Sequence, residues 1–295
     1  MSVHTVAVVG LGPMGRALAS AFSEGGIRTT VWNRTQARAD ALVERGAVRA
    51  ETVLDAVRAA ELVVVCLRDD QAVAAVLEPA ADALRGRTLV NFTSTAPHQS
   101  RTRGEWAARH GIGYLDGAIL TPTPTIGGPG ALILYSGPEP VYQAHRAVLA
   151  TLGGRAEYVG EDVGRAAGYD AAVLSLFWLS ILGVVHSLAM ARAEGISGAD
   201  LAPFAASITG LLPEMLDRFA RQVEADDYPG GISTIASASA GLAHLTESAR
   251  RLGFDTAIFR ASLDIVERAV DSGFGADGLA RLTDIVARPT AESVR

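Results

Sequence analysis

The sequence predicts an α/β domain that leads through one long helix into an all-α bundle. Three observations predict it. Short continuous apolar runs alternate with helical stretches through the first 160 residues. A glycine-rich turn separates the first such run from the first helix. Beyond Gly160 the strand pattern stops, and the 21 residues from Ala171 to Ala191 carry no Asp, Glu or Arg. Apolar strands linked by helices signal a parallel sheet covered on both faces. The first part therefore reads as a Rossmann-type fold.

Each element follows from its pattern. Thr5–Val9 is the first strand and Met14–Gly25 the first helix, ending at Gly25-Gly26. Arg28–Trp32 is the second strand, and Thr35–Arg45 a helix closed by Gly46. Val53–Ala59 is a short helix, Glu61–Leu67 a buried third strand, and Asp70–Leu84 one helix. Thr88–Phe92 is the fourth strand, Pro97–His110 a helix, and Ile112–Leu115 the start of a fifth strand. The stretch Thr121–Gly130, dense in Pro and Gly, reads as a loop. Ala131–Tyr135 is a strand, Pro138–Leu152 a helix and Ala156–Val159 a last strand. A long helix from about Val163 to Glu194 follows, then helices at about 199–209, 211–226, 234–252, 255–272 and 276–287. The division expected is 1–160 for the sheet domain and 161–295 for the long interdomain helix and its bundle.

Composition narrows the function. The 295 residues have a formal charge of −6, which argues against a nucleic-acid partner. There is no lysine, so all 26 basic residues are arginine. This excludes Schiff-base enzymes and the phosphate loop that ends in Lys-Ser or Lys-Thr. Cys66 is the single cysteine and sits in an apolar strand, where it reads as core filling at the border of the strand end Cys66-Leu67. The six histidines are scattered, and no metal site is expected. No signal-peptide pattern opens the chain, so a cytoplasmic protein is expected. The uncharged segment has the length of a membrane span. It also carries Ser175, Ser180, His186 and Ser187 and has no companion, so a buried helix is expected instead, covered on every side by a dimer.

Gly10-Leu11-Gly12-Pro13-Met14-Gly15 follows a strand and opens a helix. In that setting the first glycine makes a tight turn, the second lets backbone approach a pyrophosphate, and the third lets helix and strand pack closely. The helix N-terminus then faces the anion. A dinucleotide is the expected ligand, held by residues 10–15 and bordered by Cys66 and Leu67. At the end of the second strand an NAD site usually carries an acid for the ribose hydroxyls. Here Asn33-Arg34-Thr35 stands there, with no carboxylate before Asp40. Arg34 offers a planar donor fork to a 2′-phosphate. Asn33 can bond the ribose edge, and Thr35 adds a hydroxyl and a helix cap. NADP is expected over NAD.

Asp170 lies at the start of the long helix, just before its uncharged stretch. Desolvation raises a carboxyl pKa and suits proton donation near neutrality. Tyr169 is a second possible donor. Leu174 and Phe177 share the helix face of Asp170, with Trp178 at its edge. The pattern leaves two readings open, a proton donor above an apolar wall or a helix-end acid favoured by the dipole.

Six pieces together carry a resemblance: Gly10–Gly15, Val31-Trp-Asn-Arg-Thr35, Asn91-Phe-Thr-Ser-Thr-Ala-Pro97, Ile126-Gly-Gly-Pro-Gly130, Leu134-Tyr-Ser-Gly137 and the segment Tyr169–Leu174. The chain resembles the NADPH-dependent imine reductases and reductive aminases of the β-hydroxyacid and 6-phosphogluconate dehydrogenase superfamily. The resemblance implies hydride transfer from NADPH to C=N, with a preformed imine, or a ketone plus an amine, as substrate. It implies dimers that exchange helical bundles, so that each active site lies between the sheet domain of one chain and the helices of the other. It places Asp170 at the family's acid position and Trp178 at an aromatic position facing substrate. Ser94 stands where some reductive aminases have an asparagine that places the amine. Ser94, Thr121 and Thr123 are implied polar contacts near the nicotinamide. The superfamily's hydroxyacid dehydrogenases have a lysine where Asp170 stands, which weighs against alcohol oxidation by their route. An NADP-dependent dehydrogenase of that type and a non-catalytic NADP sensor are the rival readings.

Overall fold

The computed structural model describes residues 5–287. The chain divides into two compact units, Met1–Leu179 and Ser180–Arg295. The division falls within the long helix, so the first half of that helix belongs to the sheet-bearing unit.

The first unit is built on eight strands: β1 (Thr5–Val9), β2 (Arg28–Trp32), β3 (Val48–Arg49), β4 (Leu62–Val65), β5 (Thr88–Asn91), β6 (Gly113–Ile119), β7 (Leu132–Ser136) and β8 (Arg155–Tyr158). They lie in the order β3-β2-β1-β4-β5-β6-β7-β8. Helices cover both faces: α1 (Pro13–Glu24), α2 (Asp40–Val43), α3 (Val53–Arg58), α4 (Asp70–Leu77), α5 (Ala81–Leu84), α6 (Pro97–Arg109) and α7 (Glu139–Leu149). Alternate residues of each strand feed opposite cores, as the two-residue period of a strand requires. Val6, Val8, Val64 and Val90 pack with Leu18 and Phe22 of α1 and Val148 and Leu149 of α7. Ala7, Val9, Val63 and Val65 pack with Val57 of α3, Val73 and Leu77 of α4 and Trp106 of α6. Arg103, only 5% exposed, spans from α6 to Asp70 and Glu78, each at 3.0 Å. A buried guanidinium is tolerated because two carboxylates neutralise and bond it.

The α/β architecture is the one expected, with four local departures. β3 was not expected, because two residues leave no alternation to read. β6 and β7 are antiparallel, with Asp116 opposite Ser136. The connection between them carries no crossover helix, and parallel neighbours need one. The expected helix Asp70–Leu84 is broken by a 3₁₀ turn at Glu78–Ala80, because Pro79 cannot donate to the helical ladder. The expected helix Thr35–Arg45 is a 3₁₀ turn, Gln36–Ala39, followed by the short α2.

The sheet runs β1→β2→β3 to one side and then returns beyond β1 to β4. That reversal opens a crevice at the strand ends, where open α/β sheets bind ligands. Register keeps those ends level: Val9 is opposite both Trp32 and Val65, and Val65 is opposite Asn91.

The long helix α8 covers Arg165–Ala193. It is followed by α9 (Gly198–Thr209), α10 (Leu212–Ala225), α11 (Ile235–Arg251), α12 (Ala257–Ala269) and α13 (Leu282–Val286). The expected helix 255–272 ends three residues early in a wide turn, Val270–Phe274, where Gly273 takes φ 88°. The core of this unit is small, formed by Ile235, Val266, Ala269 and Ile285. Arg281 closes one end, stacked 4.2 Å from the Phe274 ring and 4.9 Å from Tyr228. The expectation of a fully covered α8 is not met within one chain. Leu176, Phe177, Trp178 and Leu179 are each more than half exposed, as is Val185. By length and composition this helix, with a mean hydropathy of 2.0 over an 18-residue window, could also cross a membrane.

Candidate active site

A cavity of about 500 Å³ lies at the strand ends of β1, β2 and β4. Its floor is the glycine turn. Gly10 takes φ 100°, and a Cβ there would sit 2.3 Å from the Cys66 carbonyl oxygen. A Cβ on Gly15 would sit 2.0 Å from the Gly10 carbonyl oxygen, so helix α1 can approach β1 this closely only through glycine. Gly12 is different: a Cβ there would meet nothing within 4 Å. Its bare backbone therefore faces open space, as the approach of a pyrophosphate requires.

Gly10, Gly12, Pro13, Met14, Gly15, Asn33, Arg34, Thr35, Cys66 and Leu67 all line this cavity, as the sequence led one to expect. Leu11, also expected there, does not line it. Its side chain is fully buried in the core, and its N–H donates to Asn33 Oδ1 at 2.9 Å. Asn33 Nδ2 in turn donates to the Thr35 carbonyl at 3.0 Å. Asn33 thus ties the glycine turn to the end of β2, a scaffolding role beyond the ribose contact expected of it. Thr35 makes no side-chain cap to the turn that follows, so its hydroxyl stays exposed at the cavity. Burial pushes the Cys66 thiol up to about 11, consistent with an inert wall residue.

Sequence reasoning missed Arg38 and Arg68, which also line the cavity. Arg38 follows Arg34 by one helical turn, a spacing that could have revealed it. Arg68 is held by Asp69, the cap of α4, at 2.7 Å. Arg34 and Arg38 are exposed and form no ion pair among the described residues. Two unpaired guanidiniums beside a hydroxyl form a donor set that fits a 2′-phosphate. With the open backbone at Gly12, the residues present fit NADPH.

The second part of the site is tied to the cavity residue Leu67 through Thr93. Leu67 N–H donates to Thr93 Oγ1 at 3.0 Å, joining the ends of β4 and β5. Ser94, the next residue, donates from Oγ to Asp170 Oδ2 at 3.1 Å. Asp170 is 6% exposed. Desolvation raises its pKa above the ordinary carboxylate value, and the Ser94 hydrogen bond partly opposes this. The structure thus brings Ser94 and Asp170 together across 76 residues of sequence.

The remaining expected residues divide. Tyr169 is 44% exposed, and Leu174 is half-buried. Phe177 and Trp178 are exposed and pack edge to face with ring centroids 5.4 Å apart. Thr121 Oγ1 accepts the Leu132 N–H at 3.3 Å, closing the loop before β7. Thr123 opens the one-turn 3₁₀ segment Thr123–Thr125. No described hydrogen bond joins either threonine to Ser94 or Asp170.

Two family models match consecutive parts of the chain. Residues 5–160 match the family described as the NAD binding domain of 6-phosphogluconate dehydrogenase. Residues 162–288 match the family described as the C-terminal domain of NADPH-dependent reductive aminase-like proteins. The NADPH-dependent reductive aminase of Aspergillus oryzae is 33% identical over 96% of this chain and 97% of its own length. The structure of an imine reductase from Streptomyces aurantiacus matches with a TM-score of 0.91 and 37% identity, covering 97% of this chain and all of that one. The imine reductase of Myxococcus stipitatus, solved in complex with NADP+, matches with a TM-score of 0.92 and 34% identity, over 96% of this chain and 99% of its own. With family models matching both halves of the chain and a full-length relative at 33% identity, this chain belongs to the NADPH-dependent imine reductase and reductive aminase family.

Proposed function

We propose that Asp170 is the proton source in the NADPH-dependent reduction of C=N bonds to amines, the reaction this chain performs as a member of its family. The observation that carries the assignment is the buried Asp170 carboxyl bonded by Ser94, the neighbour of Thr93, whose hydroxyl binds the cavity residue Leu67. Bound NADPH supplies the hydride to the imine carbon. Gly10, Gly12, Pro13, Met14 and Gly15 hold its pyrophosphate, Arg34 and Arg38 its 2′-phosphate, and Cys66 and Leu67 border the dinucleotide.

Asp170 does the protein's part of the chemistry. A neutral imine is a weak electrophile, and protonation at nitrogen makes it an iminium. Ser94 donates to Oδ2, so the proton of the neutral acid sits on Oδ1, free to pass to the imine nitrogen. The carboxylate left behind keeps the Ser94 hydrogen bond and faces the new cation, an electrostatic contribution that grows in a site shielded from water. Solvent then returns a proton to Asp170. Tyr169 is the alternate donor. Leu174, Phe177 and Trp178 supply an apolar and aromatic wall for the substrate, and the rings attract its cationic form. With Ser94 in place of an amide, the site favours a preformed imine over coupling of a ketone with an amine.

We also infer a cytoplasmic homodimer with shared active sites, dividing in function into 1–160 and 161–295. Trp178, Phe204, Ile208, Leu216 and Ile232 are each more than half exposed, large apolar side chains that a second copy would cover. A second copy supplies the cover, and with it helices that complete each cleft.

The test is Asp170→Asn, which keeps the volume but cannot deliver a proton. General-acid effects run to about 10²–10⁴-fold, so kcat on a neutral cyclic imine should fall by at least roughly 30-fold, with partial rescue by Tyr169 or water. NADPH affinity should not change, and an N-alkylated iminium should suffer less. If the variant reduces the neutral imine at the parent's rate with fold and cofactor binding intact, Asp170 is only a helix-end acid.

A further inference from the structure

The reaction as described gives Asp170 a task but leaves open what holds the head of α8 in place. The chain reaches α8 from β8 through residues 159–164 and is pinned beside β7 on the way. The Val159 N–H donates to the Tyr135 carbonyl at 2.8 Å, and the Gly137 N–H donates to the Gly160 carbonyl at 3.0 Å. Between those two points on β7 stands Ser136, the fully buried last residue of the strand. Its Oγ donates to the Val163 carbonyl and accepts the Ala166 N–H, each at 3.0 Å. One hydroxyl thus holds the chain on both sides of the helix start at Arg165. The N–H groups of a first helical turn have no partner inside the helix, and a side-chain oxygen can cap them. Here the cap comes from a strand residue 30 positions away.

Helix α6 supplies an outer grip on the same segment. Arg101 donates from Nε and Nη2 to the two carboxylate oxygens of Asp162, at 2.9 and 2.7 Å. Asp162 Oδ1 also accepts the Gly164 N–H at 3.0 Å. The approach is close. A Cβ on Gly164 would sit 2.8 Å from the Pro97 carbonyl oxygen, and one on Gly104 would sit 2.9 Å from Val163 Cγ2. Ala166 itself is fully buried against Ala118 of β6 and Leu134 of β7.

Asp170 follows Ala166 by four residues, about 6 Å along the same helix face. Register sets Asn91, Asp116 and Ser136 in one row across β5, β6 and β7, and Ser94 lies three residues beyond Asn91. That face of α8 is therefore tied at two successive levels, Ala166 by Ser136 and Asp170 by Ser94. We propose that Ser136, with the Arg101–Asp162 pair as its outer support, is a positioning residue for Asp170: it sets the height and rotation of α8 at which the acid meets Ser94. The apolar contact at Ala166 cannot do this alone, because hydrophobic contact has no direction. A displacement of about 1 Å at a reacting group can cost about 10²-fold in rate. This inference rests on Asp170 being the donor.

The test measures kcat on a neutral cyclic imine and on an N-alkylated iminium for the parent, Ser136→Ala and Asp162→Ala, and again with each change placed in Asp170→Asn. On the neutral imine Ser136→Ala should lower kcat at least about tenfold, and Asp162→Ala at least about threefold. The iminium needs no proton, so its kcat should fall by less than about twofold in either variant. NADPH affinity should hold, because neither residue lines the cofactor cavity. In Asp170→Asn either change should cost less than about twofold more, since residues that act through one group are not additive.

A merely structural grip slows both substrates by the same factor, or adds its full cost to that of Asp170→Asn, and either result overturns the proposal. So does an unchanged rate on the neutral imine. Ser136→Ala decides if it folds. If it does not, Asp162→Ala decides by the same criteria, since its half-exposed carboxylate can be removed without opening the core. The two readings separate cleanly. If Asp170→Asn reduces neutral imines normally, the donor assignment falls and takes this inference with it. If Asp170→Asn is crippled while the deciding variant treats both substrates alike, only this inference falls.

Discussion

Removing the guanidiniums of Arg34 and Arg38 should erase the preference for NADPH over NADH. Both side chains line the cavity, both are exposed, and neither is engaged in an ion pair among the described residues. Binding a phosphate therefore breaks no existing contact. Hydrogen bonds to charged groups contribute about 1.5–3 kcal/mol each, and solvent exposure puts these two near the lower end. About 1.4 kcal/mol is tenfold in affinity. Each of Arg34→Ala and Arg38→Ala should thus weaken NADPH binding roughly tenfold, and the double variant roughly 100-fold. NADH lacks the 2′-phosphate, so its Kd should move by less than about twofold. The assay is a fluorescence or calorimetric titration of each protein with both cofactors at two salt concentrations. Higher salt should narrow the parent's preference, because the contacts are screened charges. If both single variants and the double variant keep the parent's NADPH-to-NADH ratio, the arginine pair is a solvated surface feature and the assignment of the 2′-phosphate site is wrong.

Three further outcomes follow from the geometry. Gly12→Ala meets open space and Gly15→Ala meets the Gly10 carbonyl oxygen at 2.0 Å, so thermal melts should show Gly12→Ala near the parent and Gly15→Ala destabilised by about 1–3 kcal/mol. Both should bind NADPH more weakly. Asp116 holds a proton up to about pH 7 in the native state and only to 3.8 unfolded, so the native state binds the extra proton between those values. Stability should therefore fall as pH rises from about 4 to 7, by up to about 4 kcal/mol from this group, and denaturant titrations of Asp116→Asn should lack that loss. Sedimentation at micromolar protein should show one species of twice the chain mass, and an active monomer would contradict the cover we assign to α8.

Much of the fold was legible because burial leaves a local signature. Val6–Val9 and Leu62–Val65 are unbroken apolar runs, which only a strand covered on both faces requires. The turn at residues 10–15 was legible because close approach admits only glycine at two of its positions. The break at Pro79 was equally available, since proline removes a donor wherever it stands, but the apolar period of Asp70–Leu84 masked it. β3 was not legible at two residues, nor was the reversed direction of β7, which depends on how the loop before it closes.

The sequence by itself determined the cofactor class, through the glycine turn and the Asn33-Arg34-Thr35 segment, and it excluded lysine chemistry by containing no lysine. It also marked Asp170 as an acid beside an apolar segment, without choosing between a donor and a helix cap. Tertiary structure decided what each polar group faces. Leu11 turned out to serve the core while its N–H fixes Asn33, and Thr121 to close a loop. Ser94 found Asp170 from 76 residues away, and Ser136 at the end of β7 found the Ala166 N–H in the first turn of α8. The physical reason is one of range. Apolar periodicity and backbone preference are set by neighbours within a few residues, so they can be read along the chain. A hydrogen bond or a pKa shift is set by groups within a few ångströms, and strand register and helix docking alone choose which distant residues those are.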